Sequence, residues 1–164
     1  MAAHYRVSMT QRYSGAVYGI GAACGVAIAL VKPMTYMNRS GAPTGSLLAL
    51  WGLTCREMIV IHDDMDLTFG RIKIKKKGGD GGHKGIRSWI DVCGDDRFCR
   101  IRVGIGHSEN DDDAIDHVLG EFHDSEATAL NSVIETTRDA AIAVICEGAD
   151  AAMNRFNRKE SRQF

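Results

Sequence analysis

Polar and apolar positions along the 164 residues alternate between two periods, and the switches mark the expected elements. Val17–Ile20 and Val26–Val31 read as extended segments around the small-residue stretch Gly21–Gly25, which predicts a hairpin ended by Pro33. Ser40–Gly41 followed by Ala42–Leu53 predicts a capped amphipathic helix with Leu47, Leu48, Leu50 and Trp51 on its apolar side. Met58–Ile61 is a continuous apolar run with β-branched members, the pattern of a strand buried on both faces. Arg71–Lys77 alternates: Ile72 and Ile74 point one way, Arg71, Lys73, Lys75 and Lys77 the other. A helix is expected over His83–Val92, and a strand over Phe98–Ile105 with Ile101 and Val103 opposite Arg100 and Arg102. Glu109–Asp116 reads as an acidic loop, Ser125–Glu147 as a long amphipathic helix, and Ala149–Phe156 as its helical continuation. Strands alternating with helices predict an α/β, three-layer sandwich: a twisted, mixed but mostly parallel sheet with helices on both faces. A single domain is expected over residues 1–164.

Charge refines this picture. The net charge is −1, so the chain is no generic polyanion binder. No acid precedes Glu57, which leaves the first 56 residues at +5 and the rest at −6. A nucleic-acid surface would therefore be a local patch. The five cysteines, Cys24, Cys55, Cys93, Cys99 and Cys146, have no CxxC spacing, so reduced thiols are expected and a zinc site or disulfide framework is not. The longest apolar run, Ala16–Val31, is too short to span a bilayer. No metal and no cofactor are expected, and cytoplasm is the expected address.

Two segments carry the chemistry. Ile59–Asp66 is an apolar run that stops abruptly in carboxylates, which sets Asp63 at the carboxyl end of a strand, where α/β sheets bind ligands. A carboxylate there can orient a histidine and stabilise its charged form, or simply cap a turn. Gly78–Gly85 has five glycines in eight residues. Backbone N–H groups can crowd round an anion there, with the helix start after it and Lys75, Lys77 and Lys84 adding charge. Asn38, in Thr35–Gly41, can donate through its amide or cap a helix, and Tyr36 can stack on a base or ribose.

The segments Leu30–Gly41 (LVKPMTYMNRSG), Ile59–Ser88 (IVIHDDMDLTFGRIKIKKKGGDGGHKGIRS), Phe98–His107 (FCRIRVGIGH) and Val118–Phe122 (VLGEF) closely resemble the bacterial-type peptidyl-tRNA hydrolases. The resemblance implies hydrolysis of the ester joining a peptide to the 3′ ribose of tRNA, without a metal. It implies a histidine general base held by Asp63, with Asn38 positioning water and the peptide end. Tyr36 and Met37 would line the cleft. Lys73, Lys75, Lys77, His83, Lys84 and Arg102, together with Tyr36 and Asn38, would hold tRNA. Lys84 stands where the family usually has asparagine, and Asp64 where it has glutamate.

The family's first strand, most of its first helix and the TRHN-like segment with the base do not occur in these residues. The chain is therefore expected to be N-terminally truncated and weakly active or inactive. A non-catalytic tRNA- or RNA-binding relative is the alternative, and a small-phosphate hydrolase ranks last. A monomer is expected, with self-association where a core strand is lacking.

Overall fold

A computed structural model describes residues 1–106, 118, 120, 122 and 124–158. The acidic loop, His107, His117 and His123 lie outside the described residues, as does part of Val118–Phe122. The described chain packs as two compact units, residues 1–58 with 76–99, and residues 59–75 with 100 onward.

In the first unit, the short helix α1 (Ala2–Tyr5) leads to an antiparallel sheet of β1 (Gln11–Tyr13), β2 (Ala16–Ala23) and β3 (Val26–Pro33). The hairpin is present, but its turn is only Cys24–Gly25, and both of these residues take positive φ. Gly21–Ala23 belongs to the strand. Glycine is required at 19 and 21 of this strand: a Cβ at Gly19 would stand 2.4 Å from the Ser8 carbonyl oxygen and 2.7 Å from a Val7 methyl, and one at Gly21 2.5 Å from the other Val7 methyl.

A 3-10 turn, Met37–Arg39, runs into α2 (Gly41–Trp51), and α3 (Lys84–Cys93) packs across it. The helix forms as expected, and Leu47 of its predicted apolar side is buried. Leu50 is exposed, while Gly41, Pro43, Thr44 and Leu47 are buried. The contact face is a run of small residues. A Cβ at Gly41 would meet the Ser88 carbonyl oxygen at 2.1 Å, one at Gly45 a Val92 methyl at 2.4 Å, and one at Gly85 the Met37 sulfur at 2.6 Å. Positions 85, 88 and 92 form one face of α3, so the two helices touch almost backbone to backbone. At the far end of this pair Cys55 and Cys93 form a disulfide, their Cα atoms 5.9 Å apart. This corrects the expectation of reduced thiols. The pairing comes from the α2–α3 crossing, which brings together two residues that sequence spacing leaves unrelated.

The second unit holds a sheet in the order β4 (Ile59–Asp64), β6 (Cys99–Gly104), β5 (Ile72–Lys75). Helices α4 (Asp124–Glu147) and α5 (Ala149–Phe156) follow. The α/β class is borne out. The architecture differs from one mostly parallel sheet: the described residues form two three-stranded sheets, and β1–β2, β2–β3 and β5–β6 all pair antiparallel. For β2–β3 the reason is local, since a two-residue turn can only reverse the chain.

Strand β4 is not buried on both faces. It lies at the end of its sheet; Val60 is buried, but Ile61 is 44% exposed. On β5 the predicted alternation holds, with Ile72 and Ile74 buried. The other end of the sheet is closed by a side chain. Asn157, just after α5, accepts from the Ile74 N–H (2.7 Å) and donates to the Ile74 carbonyl (2.9 Å), as a neighbouring strand would. Arg71 donates to the Asn157 carbonyl at 3.1 Å.

Cys99, at the start of β6, is the free cysteine among those described. Burial pushes its thiol up to about 11, against a smaller opposing effect of Lys76. An unfolded chain releases this proton above the ordinary value of 9.0, and the folded one keeps it. The folded state then binds more protons, so its stability falls as pH rises from 9 to 11. Iodoacetamide at pH 8 is expected to leave Cys99 unmodified in the native protein and to alkylate it in denaturant. Modification at equal rates in both states would refute this.

Candidate functional site

The first unit contains an open recess of about 460 Å³ lined by Tyr36, Met37, Asn38, Arg39 and Lys84. Its sequence origin is plain. Pro33 ends β3, the chain turns through Met37–Arg39, and the glycine-mediated crossing of α2 and α3 holds that turn beside the first residue of α3. The Ser40 hydroxyl does not cap α2. It donates to the Met37 carbonyl at 2.9 Å and so braces the turn, while Thr44 donates to the Ser40 carbonyl at 3.1 Å. Gly41 N–H donates to Ser88 Oγ at 3.0 Å, tying the start of α2 to α3.

Tyr36 is 84% exposed, with Met37 and Asn38 also at the surface. The recess therefore presents an aromatic ring, a thioether, a carboxamide and two cations to solvent.

The glycine loop is a more ordered object than its composition suggests. Asp80 accepts from Gly82 N–H at 2.7 Å, and both its oxygens take the Arg87 fork at 3.3 and 3.2 Å. Hydrogen bonding from Arg87, then from Gly82, holds the Asp80 carboxyl below the usual carboxylate range. His83, expected among the tRNA-holding residues, is the N-cap of α3. Its Nδ1 accepts from the N–H groups of Gly85 (3.1 Å) and Ile86 (3.2 Å), which puts the ring proton on Nε2. This leaves Lys84 as the residue that the cap presents to the recess.

A second cluster lies in the second unit. Register pairs Lys73 with Arg102 and Lys75 with Arg100, so four cations share the face of β5–β6 opposite Ile72 and Ile74. Arg102 is not an idle cation: it pairs with Asp64 at the end of β4 and, at 3.8 Å, with Asp66. Arg100, which sequence reading did not single out, is only 3% exposed; its signal was the cross-strand register. Desolvation, then Arg102 and Lys73, hold the Lys75 ammonium below its ordinary value, with Asp64 acting against them. An incoming anion relieves that mutual repulsion. Strand β5 ends at Lys75, and Lys77 lies beyond it, exposed, in the first unit.

Asp63 lies near the end of β4, as expected, and is partly buried. His62 Nδ1 stands 2.6 Å from the Asp63 carbonyl oxygen. Tyr36, Met37, Asn38 and Lys84 thus come together in one recess, and Lys73, Lys75 and Arg102 on one sheet face. Among the described residues no cluster of three histidine, cysteine or acidic side chains could hold a metal, and no helix is long and apolar enough to cross a membrane.

The fold and these sites define an α/β protein that has an exposed polar recess beside a glycine loop in one unit and a cationic strand face in the other. Residues 1–163 match the family described as peptidyl-tRNA hydrolase, and the chain belongs to that family. A peptidyl-tRNA hydrolase of Thermotoga petrophila is 44% identical over 135 residues, which is 82% of this chain and 73% of the relative. One of Desulforudis audaxviator is 42% identical over 150 residues, 92% of this chain and 75% of the relative. A crystal structure of peptidyl-tRNA hydrolase from Acinetobacter baumannii superposes with a TM-score of 0.86 at 28% identity, covering 95% of this chain and 80% of that one.

Proposed function

We propose that this chain hydrolyses peptidyl-tRNA, with the recess around Asn38 receiving the acyl end and the cations of β5 holding RNA phosphates. The observation that carries this reading is the recess itself. Asn38, whose side chain makes no hydrogen bond to the described residues, stands in it beside Tyr36, Met37 and Lys84. The reaction asks for little more than positioning. Water attacks the ester carbonyl, the bond to the ribose 3′ oxygen breaks, and the proton taken from water passes to that oxygen.

The Asn38 amide suits the developing oxyanion or the attacking water, since it can both donate and accept. Asp63 suits the steadying of a histidine base, because a carboxylate partner favours the charged imidazole formed when the base takes a proton. Lys73 and Lys75 suit phosphate as point charges, with Arg102 kept in place by Asp64. Cytoplasmic translation is the setting such a substrate implies.

The test has two readouts. The first is release of N-acetyl-amino acid from N-acetylaminoacyl-tRNA. The second is tRNA affinity against salt, expected to fall steeply because the counterions released on binding gain less as salt rises. Replacing Lys73 and Lys75 together by glutamine should weaken binding several-fold at low salt and reduce the slope by about two ion equivalents. Binding without release would make the chain a non-catalytic relative. Neither binding nor release would end the proposal.

A further inference from the structure

We propose that the recess discriminates among acyl groups by charge, and that Arg39 is its specificity-determining residue, favouring peptidyl moieties whose last side chain carries a carboxylate. The inference rests on the assignment of the recess to the acyl end made above.

The lining is unusual in its charge balance. Five residues form it, two of them cations, and none is an acid. Three other exposed arginines of the same unit do have acid partners: Arg56 and Arg97 pair with Asp95, and Arg87 with Asp80. Arg39 and Lys84 have no carboxylate partner among the described residues. Both are placed by well-defined backbone. Arg39 closes the 3-10 turn braced by Ser40, and Lys84 opens α3 directly after its histidine cap.

The same recess is lined by the exposed Tyr36 ring and Met37, a surface suited to the methylene groups of an amino-acid side chain. A side chain with a short apolar stem and an anionic tip matches this lining. The guanidinium can take both carboxylate oxygens at once, and the ammonium adds a point charge. A cationic side chain meets two like charges with no acid to offset them. An RNA phosphate offers similar oxygens, but it would be held whatever the acyl group is, and that difference separates the two sources.

The experiment uses one tRNA body ending in 3′-amino-3′-deoxyadenosine, which forms an amide that cannot be hydrolysed as an ester. It is acylated with N-acetylglutamate, N-acetylglutamine or N-acetyllysine, and each analogue is titrated with the protein by fluorescence anisotropy at one fixed salt concentration. The glutamate analogue is expected to bind about 3- to 10-fold tighter than the isosteric glutamine one, as suits exposed ion pairs, with lysine weakest. Arg39→Gln should bring the glutamate-to-glutamine ratio close to one, and Arg39→Lys should restore part of it. Equal affinity for glutamate and glutamine in the unaltered protein overturns this inference alone. So does Arg39→Gln weakening all three analogues equally, which would make Arg39 a phosphate contact. Failure of every analogue to bind overturns the peptidyl-tRNA assignment, and this inference with it.

Discussion

Gly41→Ala is expected to destabilise the first unit by about 3 kcal/mol or more, beyond the usual cost of overpacking because the obstacle is backbone. The added methyl would stand 2.1 Å from the Ser88 carbonyl oxygen and 2.6 Å from its carbon, so α2 and α3 must separate. Separation also breaks the bond from Gly41 N–H to Ser88 Oγ. For a chain of this size such a loss lowers Tm by roughly 6–12 °C. Since the same crossing sets the Met37–Arg39 turn beside Lys84, tRNA affinity at low salt should fall as well, even at temperatures where the variant stays folded. Gly79→Ala is the control. It adds a methyl to open space in the glycine loop, at ordinary φ, and should change Tm by no more than a degree or two. Thermal melts of the two variants and of the unaltered protein decide the matter; a silent Gly41→Ala would show that the crossing is looser than described.

Asn157→Ala is the second large effect. The carboxamide satisfies both backbone groups of Ile74, on a strand whose Ile74 side chain is fully buried. Alanine leaves an N–H and a carbonyl without their partner in a partly buried place, which costs roughly 2–3 kcal/mol together. Asn157→Asp should be intermediate in kind but not benign: a carboxylate can still accept from Ile74 N–H, yet it faces the Ile74 carbonyl with nothing to donate. The check is local as well as global. Amide hydrogen exchange at Ile74 should accelerate in both variants beyond what the drop in overall stability explains. Protection at Ile74 unchanged from the parent protein would mean that the strand edge is covered by something else. The cations Lys73 and Lys75 flank Ile74, so the same variants should blur the RNA-holding face.

Much of the local structure was legible because local rules governed it. The hairpin, the β5 alternation and the helix after the glycines follow from short-range pattern. Three readings went astray for one shared reason: the deciding partner was distant in sequence. Leu50 looked like core, but α2 is held by Gly41 and Gly45, and small residues give no hydrophobic signal. Ile61 looked buried, but its strand ends a sheet. Cys55 and Cys93 looked unrelated until two helices crossed. His83 shows a subtler gap. Its position before the helix was readable, but whether it capped the helix or faced a ligand depended on a ring rotamer that no pattern encodes.

The chain's order of residues determined on its own that this is an α/β protein of the peptidyl-tRNA hydrolase kind. It also determined that Asp63 lies near the end of a strand, that Asn38 follows one, and that β5 is a cationic ribbon, because periodicity and long motifs are properties of neighbours along the chain. Tertiary structure alone decided which charges remain available. Asp64 took Arg102, Asp80 took Arg87, and Arg39 and Lys84 were left open on one recess. The physical reason is that an ion pair forms between groups brought within about 4 Å by packing, and no one-dimensional pattern measures that distance.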